Sequence, residues 1–193
     1  MKISGGLANG RYIVTKRVIS KALKDRELRP TSSKVREAIF DILRNRIVGA
    51  SFVDLYAGTG TVGFEALSRG AGRAIFVEPD RSRARGIKEN AIKLGFFEKA
   101  KIVQKRAHEF LRTSSRDKKS FDIFFLDPPY FSENIKVTLP IIGEKEILNK
   151  WGIVIIEHYF KNKLPEMVGE LKMIRDYRYG DTMLTIYSKE EKL

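Results

Sequence analysis

Ser51-Phe52-Val53-Asp54-Leu55-Tyr56-Ala57-Gly58-Thr59-Gly60-Thr61-Val62-Gly63 is the stretch on which the fold turns. Ser51 to Tyr56 reads as a buried strand, and Val62 to Arg69 reads as a helix that follows it directly. Between them Gly58, Gly60 and Gly63 satisfy G-x-G-x-x-G in the strand–turn–helix setting that gives this pattern meaning. Glu78 closes the next apolar run, Arg73 to Val77, eighteen residues after Gly60. In such a unit the glycines let the backbone approach a ligand, and the acid accepts hydrogen bonds from both ribose hydroxyls. An adenosine-bearing ligand is therefore expected. The spacing suits a nicotinamide dinucleotide and S-adenosylmethionine equally. Asp54 helps to choose, because a carboxylate just before the turn repels a pyrophosphate and complements the ammonium of a methionyl group.

Outward from this core, strands and helices alternate. Upstream, Val35, Ile39, Ile42 and Leu43 share a helical face, with Ser32 or Ser33 as N-cap. Downstream, a helix beginning near Asp80 carries Ala84, Ile87, Ala91, Ile92 and Leu94. Lys101 to Gln104 reads as a strand, His108 to Leu111 as a short helix, and Thr113 to Ser120 as an exposed polar loop. Asn134 to Asn149 is helix-like but interrupted by Pro140 and Gly143, and Gly152 to Ile156 supplies another core strand. Met173 to Tyr179 and Thr182 to Ser188, joined through Gly180-Asp181, form a terminal hairpin. This order predicts a three-layer α/β domain with a mostly parallel sheet.

The apolar run Phe121 to Leu126 is followed at once by Asp127-Pro128-Pro129-Tyr130. Two prolines cannot continue a strand, and they fix a stiff loop where open α/β sheets place their ligands. The loop offers a carboxylate, carbonyls and an aromatic plate. These suit a flat, amine-bearing ring, whose N–H groups the carboxylate and a carbonyl accept while the tyrosine stacks on its face.

Composition narrows the partners. The chain has 193 residues, 42% of them hydrophobic, which is enough for one substantial core. It has no cysteine, and His108 and His158 stand too far apart for metal-ligand spacing, so no metal is expected. No segment approaches a membrane span, and the start Met1-Lys2-Ile3-Ser4-Gly5-Gly6 lacks a signal-peptide pattern, so a soluble, cytoplasmic protein is expected. The net charge is +13. From Met1 to Arg36 ten basic residues face only Asp25 and Glu27, a local charge of +8. This concentration favours a polyanionic partner. Gly5-Gly6 and Asn9-Gly10 suggest hairpins within it.

The blocks Arg29-Pro30-Thr31-Ser32-Ser33-Lys34-Val35-Arg36-Glu37-Ala38-Ile39-Phe40, Asp54 to Gly60, Gly63-Phe64-Glu65-Ala66-Leu67-Ser68-Arg69-Gly70-Ala71, Asp127 to Tyr130, and Tyr179-Gly180-Asp181-Thr182 closely resemble the bacterial 16S ribosomal RNA guanine-N2 methyltransferase family, RsmD-like, over nearly the whole chain and in order. The resemblance implies a class I S-adenosylmethionine-dependent methyltransferase fold, Rossmann-like with a seven-stranded sheet, and a small basic N-terminal β extension (residues 1–28) that contacts RNA beside a catalytic domain (29–193). It implies S-adenosylmethionine as donor and a guanine in a small-subunit rRNA hairpin loop, naked or in an assembling particle, as acceptor. The protein is expected to be a monomer. One departure concerns the position after the third strand, where the family has an acidic residue near the adenine amine and this chain has Arg106.

Residue by residue, Asp127, Pro128, Pro129 and Tyr130 are expected to carry the chemistry. Asp54, Tyr56, Ala57, Gly58, Thr59, Gly60, Glu78, Ala107 and Asp127 are expected to hold the donor. Arg11, Lys16, Arg17, Lys21, Arg29, Thr31 and Arg36 are candidates for RNA contact, Thr31 and Arg36 with the donor carboxylate as an alternative, and Phe40 and Phe64 are expected in the core. A DNA adenine-N6 methyltransferase is the rival enzyme, since the proline loop serves an adenine amine equally well. The short chain leaves little room for a separate DNA-reading domain. A non-catalytic RNA-binding protein with this fold is a further alternative, and no hydride-acceptor site supports an oxidoreductase.

Overall fold

The computed structural model describes residues 1–14, 32–129 and 132–190. Among the described residues five α-helices and eight strands follow one another, alternating as far as β5: α1 (Ser33–Leu43), β1 (Ser51–Asp54), α2 (Thr61–Ser68), β2 (Arg73–Val77), α3 (Arg81–Leu94), β3 (Ala100–Val103), α4 (Ala107–Arg116), β4 (Phe121–Leu126), α5 (Asn134–Glu144), β5 (Leu148–Tyr159), β6 (Met167–Val168), β7 (Leu171–Tyr179) and β8 (Thr182–Ser188). All lie within the described residues. The strands form one sheet in the order β3-β2-β1-β4-β5-β8-β7-β6. The first five are parallel, whereas β8 runs antiparallel between β5 and β7.

Successive residues of a strand point to opposite faces, and both faces here are apolar. Phe52, Phe76, Phe125 and Ile155 pack with α1, α2 and α3 on one side, and Phe40 and Phe64 are buried there as expected. Val53, Ile75, Phe124 and Ile156 pack with α4 and α5 on the other. Local caps fix the helix starts. Ser32 accepts from Val35 N (3.2 Å) ahead of α1, and Asp80 accepts from Arg83 N (2.8 Å) ahead of α3.

Several expectations need correction. The sheet has eight strands rather than seven, because the two-residue β6 pairs with β7. Thr113 to Arg116 belong to α4 and not to a loop. Their polarity misleads, since Thr113 satisfies its own hydroxyl on the Glu109 carbonyl (2.8 Å) and Ser114 is buried. The helix-like stretch after Asn134 ends at Glu144, with Pro140 inside it, and β5 starts at Leu148 rather than Gly152. Ile92 is exposed on α3 instead of sharing the core face of Ile87 and Ala91.

Residues 1–14 make a hairpin-like reversal with a single antiparallel bridge, Lys2 to Tyr12, and Ile3, Ala8 and Ile13 enter the core. Their anchor is Glu65, fully buried on α2. Its carboxylate accepts from Ser4 N (2.9 Å), Ser4 Oγ (2.9 Å) and Arg69 Nε (2.9 Å), and pairs with the buried Arg36 of α1 (3.4 Å). Removing one member strands the charge of the others, which costs about 3–5 kcal/mol for a buried set. Glu65→Ala is therefore expected to lower stability by that order. Glu89→Ala, at an exposed pair with Arg85, is expected to cost less than about 1 kcal/mol. Urea unfolding of both variants checks the contrast, and equal losses would remove Glu65 as the anchor.

Candidate active site

Strand order reverses at β1, with β2 on one side and β4 on the other, so the crevice of this open sheet lies at their carboxyl ends. Asp54 pairs in register with Phe76 of β2 and Phe125 of β4. Glu78 follows the last residue of β2, and Asp127 follows the last residue of β4. Backbone ladders extend past the strand ends, with Leu55 N donating to Phe125 O (2.9 Å), Ala57 N to Val77 O (3.0 Å) and Glu78 N to Val103 O (3.1 Å). Asp54, the glycine turn, Glu78 and Asp127 thus stand along one edge.

Two carboxylates hold the turn. Glu78 Oε2 accepts from Gly58 N (2.9 Å), and Oε1 accepts from Asp80 N (2.9 Å). Burial holds its carboxyl above the ordinary range despite those bonds and Arg83 at 3.8 Å. Each oxygen keeps a further lone pair, so hydroxyl donors can still be accepted. Asp54 is 2% exposed and accepts from Gly63 N (3.1 Å). Gly60, the residue at the helix N-cap, has no side chain, so Asp54 satisfies an orphan donor of the first turn of α2 in its place. Burial pushes the Asp54 carboxyl up to about 7, against the lowering by Gly63 N–H and with a further push from Glu78.

The glycines divide their labour. Gly58 sits at φ +54 with nothing nearer than 3.9 Å to an added Cβ, so its backbone is open to an approaching group. At Gly63 an added Cβ would meet the Phe76 ring at 2.3 Å, which makes it a helix–sheet packing residue. Thr59 and Thr61 exchange a hydroxyl bond (2.8 Å) across the turn. Tyr56 is partly buried, and its hydroxyl lies 3.4 Å from Thr138 Oγ1 of α5, with burial raising it to about 12. Ala107 is buried at the start of α4, and Arg106 is exposed beside it, its N–H donating to Glu109 (3.2 Å). These residues fit a cationic, ribose-bearing donor: acids beneath and beside an open backbone turn, with apolar walls.

In the Asp127-Pro128-Pro129 loop Pro128 is buried and Pro129 exposed, and no peptide bond among the described residues is cis. The Pro129 carbonyl accepts from Ser132 N (2.9 Å) and Ser132 Oγ (2.8 Å). The Pro129 carbonyl is thus used within the loop itself. Tyr130, Lys16, Arg17, Lys21, Arg29 and Thr31 lie outside the described residues. Arg36 is not at this edge's surface but buried against Glu65, its Nη2 donating to Lys2 O (3.0 Å). Arg11 donates to Leu94 O (3.0 Å) and to Lys93 O, closing the end of α3. Thr138 and Ser132 escape sequence reading, because both lie outside any recurrent motif and act through the backbone or another side chain. Among the described residues no cluster of His, Cys, Asp and Glu could hold a metal, and no helix is long and apolar enough to cross a membrane.

A five-stranded parallel half closed by an antiparallel strand, with acids flanking a glycine turn, defines a Rossmann-like class I methyltransferase fold. Residues 1–188 match the family model described as conserved hypothetical protein 95, and the chain belongs to this RsmD-like family. It is 35% identical to the Bacillus subtilis protein named "Putative rRNA methyltransferase YlbH", over 98% of this chain and 99% of that one. It is 30% identical to "Ribosomal RNA small subunit methyltransferase D" of Escherichia coli strain K12, over 84% and 80% of the two chains. The solved "Putative methyltransferase yhhF" of Escherichia coli superposes with a TM-score of 0.82 at 27% identity, over 100% and 99% of the chains. The fold is also that of an RNA methyltransferase from Salinibacter ruber in complex with S-adenosyl-L-homocysteine, with a TM-score of 0.61 at 16% identity over 86% and 96% of the chains.

The raised Asp54 carboxyl makes a pH prediction. Unfolded, it titrates near 3.8, and folded at about 7. Between those values the native state keeps a proton that the unfolded chain releases. Its contribution is therefore full below about pH 4 and is lost as pH rises to about 7, by up to about 1.4 kcal/mol per pH unit. Asp54→Asn keeps an acceptor for Gly63 N–H and removes that slope. Urea midpoints of both proteins at about pH 5 and about pH 8 test it, and parallel profiles would contradict the assignment.

Proposed function

We propose that this protein is an S-adenosylmethionine-dependent methyltransferase that modifies the exocyclic N2 amine of a guanine in small-subunit (16S) ribosomal RNA. The observation that carries the reading is the common edge, where the open turn at Gly58, held by Glu78 and Asp54, stands beside the Asp127-Pro128-Pro129 loop. Family membership and relatives named as rRNA methyltransferases support the substrate class.

When bound, the donor supplies an electrophilic methyl carbon on a sulfonium. Glu78 accepts from its ribose hydroxyls. The backbone from Tyr56 to Gly60 lines its methionyl end, with the Asp54 charge beneath, and Ala107 packs against its base. An exocyclic base amine is a poor nucleophile, since its lone pair is delocalised into the ring. Asp127 and the Pro128 carbonyl each accept one N–H, which orients the amine and stabilises the positive charge that grows on it during attack. The methylated amine is acidic enough to lose its proton to water, so Asp127 acts by orientation and electrostatics. Tyr130 stacks on the extruded base, an interaction worth about 1–3 kcal/mol.

The test supplies labelled donor with small-subunit rRNA, assembling particles or DNA, followed by digestion and mass spectrometry. N2-methylguanosine in the rRNA is expected, and N6-methyladenine in DNA or no turnover on any substrate would overturn the reading. Two variants separate the half-sites. Glu78→Ala is expected to weaken donor binding by calorimetry. Asp127→Ala is expected to keep donor binding and to lose about 100- to 1,000-fold in single-turnover rate. A wild-type rate for Asp127→Ala would remove its role.

The basic N-terminal segment is assigned to the RNA phosphates. Because residues 1–14 carry core side chains, its test is charge removal and not truncation. Changing Lys16, Arg17, Lys21 and Arg29 to Ser is expected to weaken RNA binding and to flatten its log–log salt dependence by about 0.7–0.9 for each phosphate no longer neutralised. An unchanged slope would exclude these side chains.

A further inference from the structure

The family-like block Tyr179-Gly180-Asp181-Thr182 has no part in the donor or acceptor roles above, yet the topology brings it to the same edge. It forms the tip of the β7–β8 hairpin, and Thr182 pairs with Tyr159 at the carboxyl end of β5. β5 lies beside β4, with Ile156 opposite Leu126, so Tyr159 and Phe160 stand three and four residues beyond the row of the last β4 residue. At about 3.3 Å per residue and about 4.8 Å between strands, Phe160 lies roughly 11 Å from the Asp127 backbone.

The tip locks Phe160 in place. Asp181 O accepts from Phe160 N (3.0 Å), and Gly180 O accepts from Arg178 Nε (2.9 Å). Arg178 is thereby held with its guanidinium carbon 3.8 Å from the centroid of the Phe160 ring. Tyr159 supports that ring edge-on, at 5.0 Å and 69°. Lys161 Nζ lies 5.8 Å from its centroid. Arg178, Lys161 and Lys163 are all exposed. A guanidinium already stacked on an aromatic ring is a preformed plate, on whose outer face an unstacked base continues the stack, and the flanking ammonium groups meet phosphates. Merely pinning the hairpin to the loop requires neither an exposed guanidinium nor an exposed lysine beside the same ring.

We infer that Phe160 and Arg178, with Lys161 and Lys163, form a stacking subsite for an RNA nucleotide that neighbours the target base. The inference rests on the proposed RNA substrate and gives that substrate a second point of attachment beyond the proline loop. The subsite reads single-stranded RNA, since only an unpaired base can reach the plate.

The test titrates a small-subunit rRNA fragment against wild-type protein, Phe160→Leu, Phe160→Trp, Arg178→Ala and the Lys161→Ala/Lys163→Ala pair, with donor calorimetry and thermal melting in parallel. Phe160→Leu keeps apolar volume and removes the plate. Phe160→Leu and Arg178→Ala are expected to bind the RNA about tenfold more weakly, with donor affinity and melting unchanged. Phe160→Trp is expected to restore RNA affinity. The lysine pair is expected to flatten the salt dependence by about 0.7 for each phosphate released. RNA affinity unchanged by Phe160→Leu and Arg178→Ala, in a wild-type protein that does methylate RNA, would overturn the subsite and leave the function standing. Parallel losses of donor affinity and melting temperature would show a structural staple and also overturn it. Failure of the wild-type protein to bind or methylate RNA would overturn the function itself.

Discussion

Two buried carboxylates at the ends of adjacent strands fix the turn around which the site is built. Glu78 draws in the Gly58 N–H from the side, and Asp54 draws in the Gly63 N–H from below. Without them the turn would expose unpaired donors and the first turn of α2 would lack a cap, because Gly60 offers no side-chain oxygen. The two acids lie close enough that Glu78 helps to raise the Asp54 carboxyl. That repulsion is a standing cost in the folded chain, and a cationic ligand above the turn relieves it. The arrangement is therefore complementary to a positively charged donor before any ligand arrives.

A second buried carboxylate cluster ties this turn to the rest of the domain. Glu65 stands on the helix that the turn begins, and it gathers Ser4, Arg36 and Arg69. Ser68, on the same helix, accepts from Ala8 N (2.8 Å). The first residues of the chain are thus bound to the helix that carries the glycine loop. On the other side, Tyr56 reaches from the turn to Thr138 of α5, the helix that follows the proline loop. Thr138 also donates to Asn134 O (2.8 Å) at the start of that helix. The glycine turn and the proline loop are held by one framework rather than by independent loops.

Much of this framework is legible in the sequence because it rests on local patterns. The strand–turn–helix at Ser51 to Arg69, the acid at Glu78 and the strand cut off by Pro128-Pro129 each depend on nearest neighbours, and each lies where the periodicity puts it. What escapes depends on long-range interactions. Arg36 reads as a helix-surface cation suited to a phosphate, but its partner Glu65 is twenty-nine residues away and both are buried. Arg11 reads likewise, yet it closes the carboxyl end of α3. Thr113 to Arg116 reads as a loop, because hydroxyl side chains that bond back to their own helix have the composition of one that does not form. Phe160 and Arg178 carry no motif spacing at all, and only the antiparallel return of β7 and β8 brings them together.

The same topology explains how a chain of net charge +13 can build a site from acids. Asp54 and Glu78 are buried under and beside the turn, so their charge is felt at short range, where the proposed cationic donor would sit. The cations around Phe160 are exposed, and exposed charges act outward over about a Debye length, roughly 8–10 Å at ordinary ionic strength. The proposed donor and acceptor differ in sign, one a compact cation and the other a polyanion, and one edge would have to hold both. Burying the acids while exposing the bases separates the two fields by depth, so that a polyanion would meet the basic rim and only a neutral base would need to pass over the carboxylates.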